Sequence, residues 1–576
     1  MSSFSRFASY LKKYKQQAIV APLCMILVVI GDLAQPYLTQ KVIDNGIQTG
    51  DLNYVTKMGI VMVVIAIVGF IAGIINIISS SRLSVGFATD LRQNLFSKIQ
   101  SLSYGDIDRL NTGNLIVRLT NDITQLQNFV MQAFRILIRS PFTGIGALIL
   151  AIKTSLKLSP IIVILIVIVV ITLFVVLKKS FPLFVNSQQA LDNLNRALNE
   201  NLSGIRAVKA FVREEFEVEK FDQKNIDLTQ KTIKSSRSVA SIIPLLMLIL
   251  NFSTVAVLWF GGNLFFNNDI QIGEIVAFTN YLLQLMMSLV IAGMLTMSVS
   301  RAVVSGKRIM EVFDTDPQIQ DKNDAVSVKH IKGDISFEHV YFSYDNTEEW
   351  ILQDVNLNIK SGELIGVIGA TGSGKSTLVQ LIPRLYDVDK GRITIDGIDV
   401  KHIKEKSLRE NISIVLQKAI LFSGTILENI KYGNQEAKLK QVKDAAMVAQ
   451  AQEFINRFTE KYDTVLYQKG SNLSGGQRQR VSIARGLIKD PAILILDDST
   501  SALDAKSEAL VKHALNRDFA DTTTIIIAQK ISSVIDADKI VVLEKGKVVS
   551  EGTHEELLKG SVVYQDIYKS QLGKEV

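Results

Sequence analysis

Through its first half the chain alternates long apolar runs with polar stretches, and through its second half short strand-like runs alternate with turns and helical patterns. Six runs, near residues 19–38, 58–79, 132–152, 159–178, 240–262 and 275–298, have the length of a membrane-crossing helix, because roughly 20 apolar residues span a ~30 Å hydrocarbon core. An even number of crossings returns the chain to its starting side. Ahead of the first run, residues 4–16 mix Phe4, Phe7, Tyr10 and Leu11 with Arg6, Lys12, Lys13 and Lys15, the pattern of a basic amphipathic helix lying along a membrane surface. No small-residue cleavage site follows the first run, so it is read as a retained span and not as a signal peptide.

The connections are unequal. Between the second and third runs, and again between the fourth and fifth, lie about 50–60 mostly polar residues with helical patterning, whereas the other connections are short. An up-and-down pair of ~25-residue helical extensions would reach ~37 Å beyond the membrane. Their tips are expected at residues 103–113 and 204–217, each with mixed charge and an aromatic suited to docking on another domain. A solvated helical hairpin is the plainer reading of the same pattern. Residues 313–332 then turn polar, with Asp314, Asp316, Pro317, Asp321, Lys322, Asn323 and Asp324, and read as a linker. From residue 333 the alternation of strands and helices predicts an α/β domain. The expected organisation is an amphipathic elbow over 1–16, an all-α membrane domain of six helices over 17–312, the linker over 313–332 and an α/β P-loop domain over 333–576.

The second half carries the chemistry. Gly369-Ala370-Thr371-Gly372-Ser373-Gly374-Lys375-Ser376-Thr377 is a complete phosphate loop between an apolar strand and a helix. In such a loop backbone N–H groups surround phosphate oxygens, Lys375 reaches the β- and γ-phosphates and Ser376 ligates Mg²⁺. ATP and Mg²⁺ are the expected cofactors. Tyr344, upstream, is placed to stack on adenine or to serve as a half-buried strand tyrosine. Gln417 follows an apolar strand, where its amide reaches both Mg²⁺ and an attacking water. Leu473-Ser474-Gly475-Gly476-Gln477 sets a serine and two glycines at a helix start, a second anion cradle that the first loop's own nucleotide does not need. Asp497 ends an apolar strand in position to hold Mg²⁺ through water, and Asp498 follows where a general base would sit.

Composition trims the alternatives. With 48% hydrophobic and 21% charged residues, neither a wholly embedded nor a wholly soluble chain fits. The net charge of +7 reflects basic flanks beside anionic lipid more than a nucleic-acid footprint, and no nucleic-acid partner is expected. The single cysteine, Cys24, excludes an intrachain disulfide, and the five histidines form no metal-ligating cluster. A phosphate loop that meets cytoplasmic ATP puts both termini in the cytoplasm of a plasma-membrane protein. Lys12, Lys13 and Lys15 before the first run and Arg301, Lys307 and Arg308 after the sixth agree with this; Lys153 and Lys157 run against it. Within the runs, Asp32 is the main ionisable residue and is read either as a site for cationic substrate or as a hydrogen-bonding partner of a neighbouring helix. Arg135 and Arg139 are placed near the inner end of the third run. Phe252, Met286, Met287 and Met294 form a soft apolar set suited to amphipathic substrates, or to lipid-facing packing.

The order of phosphate loop, Gln417 loop, LSGGQ, strand-terminal Asp497 and Ser501-Ala502-Leu503-Asp504 resembles that of ATP-binding cassette proteins. With six spans ahead and residues 108–122 (DRLNTGNLIVRLTND) resembling the first coupling region, the whole chain is similar to a bacterial ABC exporter half-transporter. The resemblance implies a dimer in which each ATP lies between one chain's phosphate loop and the other's LSGGQ, with the arms crossing to the partner's cassette. It also implies that Gln468 couples cassette closure to the spans. Two positions depart from the family pattern: Asp498 stands where glutamate is usual, and Gln529 where histidine is usual. Both belong to one catalytic site, while LSGGQ is intact. In this the chain resembles the degenerate-site subunit of heterodimeric multidrug exporters, whose partner subunit would carry Glu and His. A homodimeric lipid or peptide exporter and an ATP-gated regulatory or channel-like protein remain alternatives.

Overall fold

The computed structural model describes residues 3–344 and 349–572. The chain divides into two units, Met1–Gln100 with Gly113–Asp314, and Ser101–Thr112 with Thr315–Val576.

In the first unit six helices among the described residues are long and apolar enough to cross a membrane: Arg6–Ile47, Leu52–Gln100, Thr112–Thr154, Ser159–Ser203, Glu214–Phe266 and Ile272–Asp314. Each outruns its apolar stretch. The second, at 49 residues, is roughly 74 Å long, more than twice the hydrocarbon thickness. Large side chains such as Ile164, Phe174 and Phe260 stay exposed while Ala147, Ala151 and Ala277 are buried, the inside-out arrangement expected where small residues bring helices together and lipid covers the rest. Asn76, fully buried, joins three helices by donating from Nδ2 to Ala21 O at 2.7 Å and Phe134 O at 3.3 Å. Phe134 lies in a π-helical turn, Ala133–Leu137, a bulge of the helical ladder of the kind that recurs at functional sites.

Over the stretch expected to form the elbow, a helix Ser3–Leu11 meets a 3₁₀ turn, Lys12–Tyr14, before the first spanning segment, Lys15–Val42. Arg6 pairs with Asp314 at 2.6 Å and Lys13 with Asp90 at 2.9 Å, so the elbow's cations are tied to the last residue of the sixth long helix and to the body of the second. The second arm turns at a short helix, Ile205–Ala210, inside the expected tip.

The second unit contains three sheets among its described residues. They are a four-stranded antiparallel sheet (Ile335–Phe342, Leu352–Ile359, Lys390–Ile395, Ile398–Asp399), a two-stranded ribbon and a six-stranded sheet. The spatial order of the six is Lys547–Gly552, Lys539–Glu544, Leu364–Ile368, Thr523–Ile527, Ile493–Asp497, Ile412–Val415. All but the first are parallel, and their near-continuous Ile, Leu and Val runs are buried, as a parallel sheet covered on both faces requires. Ile527 pairs with Asp497 and Val367, and Val415 with Leu496. This register brings the loops after four strands to one edge, where ligands of open α/β sheets bind.

Candidate nucleotide site

Each of those four strand ends delivers one part of the site. The phosphate loop follows Leu364–Ile368, Gln417 follows Ile412–Val415, Asp497 and Asp498 close Ile493–Asp497, and Gln529 follows Thr523–Ile527. Thr371, Gly372, Gly374, Lys375, Ser376, Thr377, Gln417, Asp497, Asp498 and Gln529 line one cavity of about 320 Å³. Gly374 enters its helix at φ +98°, and a Cβ there would sit 2.9 Å from Leu352, so only glycine fits. A Cβ on Gly369 would run into the Leu543 carbonyl. These close approaches fix the loop's path.

Lys375 is buried and its ammonium donates to Gly369 O at 2.9 Å and Ala370 O at 2.8 Å. Burial pulls its pKa below the usual lysine value, opposed by Asp498 and Asp497. Ser376 Oγ donates to Asp497 Oδ1 at 2.9 Å. Burial raises Asp497 above the ordinary carboxylate range, with the Ser376 bond acting against the rise and Asp498 adding to it. Asp498 Oδ2 accepts two amide bonds, from Gln417 Nε2 at 2.9 Å and from Gln529 Nε2 at 3.0 Å. Tyr344 OH and Thr377 Oγ1 share a hydrogen bond at 2.9 Å. The residues fit a triphosphate: Ser373 Oγ is buried without a partner, and a Cβ on Gly372 would meet only open space, so the loop has both an unsatisfied polar atom and room.

Ser474, Gly475, Gly476 and Gln477 do not join this cavity. Ser474 caps the helix Gly475–Leu487 in a reciprocal capping box with Gln477, and a Cβ on Gly475 would again meet nothing within 4 Å. The cradle is formed and open, apart from the phosphate loop of its own chain.

Sequence reasoning missed two neighbours of the site. Tyr386 packs edge-on against Tyr344, with ring centroids 5.2 Å apart, and donates from its hydroxyl to Asp108 Oδ2 at 2.8 Å; burial first, then Asp108, pushes its phenol pKa up. Gln571, on the last helix, donates to Gln529 O at 2.7 Å and accepts from Ile531 N at 2.8 Å, clasping the loop that carries Gln529. Neither stands in a motif, so only an aromatic just past the phosphate-loop helix and an amide near the end hinted at them.

Residues 18–289 match the ABC transporter transmembrane region and residues 352–501 the ABC transporter family. An uncharacterized ABC transporter ATP-binding protein of Bacillus subtilis, YfiB, is 41% identical over 98% of both chains. The chain belongs to the ABC transporter family. The ATP-dependent lipid A-core flippase of Desulfotalea psychrophila is 34% identical over 97% of each chain. The solved structure of a bacterial Atm1-family ABC exporter with ATP bound matches with a TM-score of 0.81 at 25% identity, covering 98% of this chain and 99% of that one. This ABC transporter is thus a multi-pass membrane protein and an ATP-hydrolysing exporter with its membrane domain fused to one ATP-binding cassette. Half-transporters of this design work as dimers in a bilayer.

In the transporter's membrane unit a cavity of about 950 Å³ opens among the first, third and sixth spanning helices, lined by residues that include Asp32, Arg139, Thr143, Gln284 and Met287. Asp32 Oδ2 pairs with Arg139 Nη2 at 2.9 Å. The structure thus places the Asp32 carboxylate in the cavity already paired with the third spanning helix. It also splits the apolar set: Met286 is buried in the helix core at 2% exposure because one residue turns a helix by about 100° away from Met287, and Phe252, 68% exposed, does not line the cavity. The side chain of Met294 lies outside the described residues.

Proposed function

We propose that this chain is one half of a heterodimeric exporter, holding ATP at a slow site of its own while completing a faster site with a partner subunit that carries Glu and His at the positions of Asp498 and Gln529. The observation that supports this most directly is the double amide contact on Asp498 Oδ2. A general base must accept a proton from an attacking water within hydrogen-bond reach, and here that oxygen is already met by two donors. Aspartate also ends about one C–C bond, ~1.5 Å, short of glutamate, and a misplacement of about 1 Å costs on the order of 10²-fold in rate. Gln529 donates but never becomes cationic, so it cannot answer the charge that develops on the transferred phosphoryl group.

Binding needs neither feature. In this reading Lys375 exchanges its loop carbonyls for phosphate oxygens, Ser373 contributes its unpartnered hydroxyl, and Tyr344 leaves Thr377 to present its ring to adenine. Mg²⁺ would be held by Ser376, Asp497 and Gln417, and when bound it neutralises phosphate charge. Ser474 to Gln477 stay free for the nucleotide of the partner. Both termini lie in the cytoplasm, where ATP is, with Lys12, Lys13, Arg301 and Arg308 on that side of the plasma membrane. The cargo is a small amphipathic compound, a drug or a lipid-like molecule, taken from the cavity around Asp32 and Met287.

The test is ATP-driven transport in a reconstituted complex of this chain with a co-expressed partner half-transporter. Lys375→Ala leaves most of the turnover if this chain holds the slow site, whereas the equivalent lysine change in the partner abolishes it. Equal losses from the two substitutions would contradict the asymmetry. A second reading, a homodimeric lipid exporter, draws on the name of the Desulfotalea relative, and turnover by this chain alone at full rate would favour it.

A further inference from the structure

The membrane cavity holds a charged feature that the nucleotide chemistry does not use. Asp32 and Arg139 both line it, their side chains 41% and 52% exposed. Asp32 falls within the first apolar run (19–38) and Arg139 within the third (132–152), so the pair lies inside the stretch that spans the hydrocarbon core. Gln284 Nε2 donates to Asp32 O at 2.9 Å, which fixes its amide beside the pair and leaves Gln284 Oε1 buried without a partner, as is Thr143 Oγ1.

A lone charge at this depth is costly, and each member of the pair persists because the other neutralises it. This arrangement sets a selection rule. A cation that takes Asp32 strands Arg139, and an anion that takes Arg139 strands Asp32. A ligand bringing both an ammonium and a phosphate or carboxylate group replaces the pair with no charge left bare. Gln284 Oε1 is an additional acceptor for the ammonium, and Thr143 Oγ1 an additional donor for the anion. Leu283, Met287 and Ile291 line the same cavity, giving an apolar wall for the rest of the molecule.

We propose that the cavity selects zwitterionic amphiphiles, with Asp32 receiving the cationic group and Arg139 the anionic group. The inference rests on the exporter reading and names its substrate class. A zwitterionic lipid headgroup and a free zwitterionic amphiphile share this chemistry.

The experiment uses the full chain in nanodiscs and a photoreactive hexadecylphosphocholine as probe, displaced by three competitors of equal tail length: hexadecylphosphocholine, hexadecyltrimethylammonium and hexadecyl sulfate. In the wild type the zwitterion displaces the probe at concentrations about tenfold lower than either singly charged competitor. Arg139→Gln turns the preference toward the ammonium, and Asp32→Asn toward the sulfate. The exchanged pair, Asp32→Arg with Arg139→Asp, brings the zwitterion back to first place, which separates charge recognition from misfolding. An order unchanged by either neutralisation, or an ammonium preference in the wild type, overturns the proposal. Lysophosphatidylethanolamine serves as a fourth competitor: displacement by it assigns the site to lipid headgroups, displacement by hexadecylphosphocholine alone assigns it to free amphiphiles, and both support the rule. ATP-driven export is read on the same variants. Loss of export with the displacement order intact contradicts the exporter reading and leaves the selection rule standing.

Discussion

Asp498 adopts φ +45°, a left-handed backbone that aspartate tolerates better than most residues and that clusters at functional sites. Its amide N donates to Ile527 O at 3.0 Å, so the bend is held by the neighbouring strand and not by the carboxylate. Asp498→Asn is therefore expected to keep ATP affinity within about threefold while removing residual turnover, measured by fluorescent-nucleotide binding and phosphate release on the same sample. Lys375→Ala should do the opposite and weaken ATP binding by about 10²-fold, because charge-assisted contacts to phosphate are the strong ones. These residues were legible because each belongs to a contiguous motif at a strand end. The double contact on Asp498 was not legible, since Gln417, Asp498 and Gln529 meet only through the register of three parallel strands. Arg139 is similar: its type and place on a span could be read, but its pairing with Asp32 depends on how two helices rotate.

At the scale of elements, the tip Ser101–Thr112 belongs to the second unit and is held there by the bond from Tyr386 to Asp108 and by one buried carboxylate. Asp106 Oδ2 accepts from Ser103 Oγ at 2.5 Å, from Ser103 N at 3.2 Å and from Gln318 N at 3.0 Å. Asp106→Ala removes the capping box and should loosen the tip by about 1–2 kcal/mol, seen as faster amide exchange over residues 101–112 with the central sheet unchanged. Tyr386→Phe keeps the ring against Tyr344 and loses only the bond to Asp108, about 1 kcal/mol, and should show a smaller effect of the same kind. The tip's position and its helical hairpin could be read from the polar gap between apolar runs. Its attachment could not, because Asp106 and Gln318 are brought together by tertiary structure across most of the membrane unit's sequence.

At the scale of the molecule, apolar periodicity and motif order were enough to read six spans and one cassette, since each span must satisfy its own backbone within lipid and each phosphate motif is local. What they do not encode in one chain is the second half of the machine, for the signature cradle at Ser474 stands apart from the phosphate loop it would have to face. ATP turnover of the purified chain in lipid should be close to background for the wild type and should rise by about 10²-fold in Asp498→Glu with Gln529→His, because two such chains then supply both the base and the cationic donor. Robust turnover of the wild type, with no gain from the double substitution, would contradict the asymmetric account.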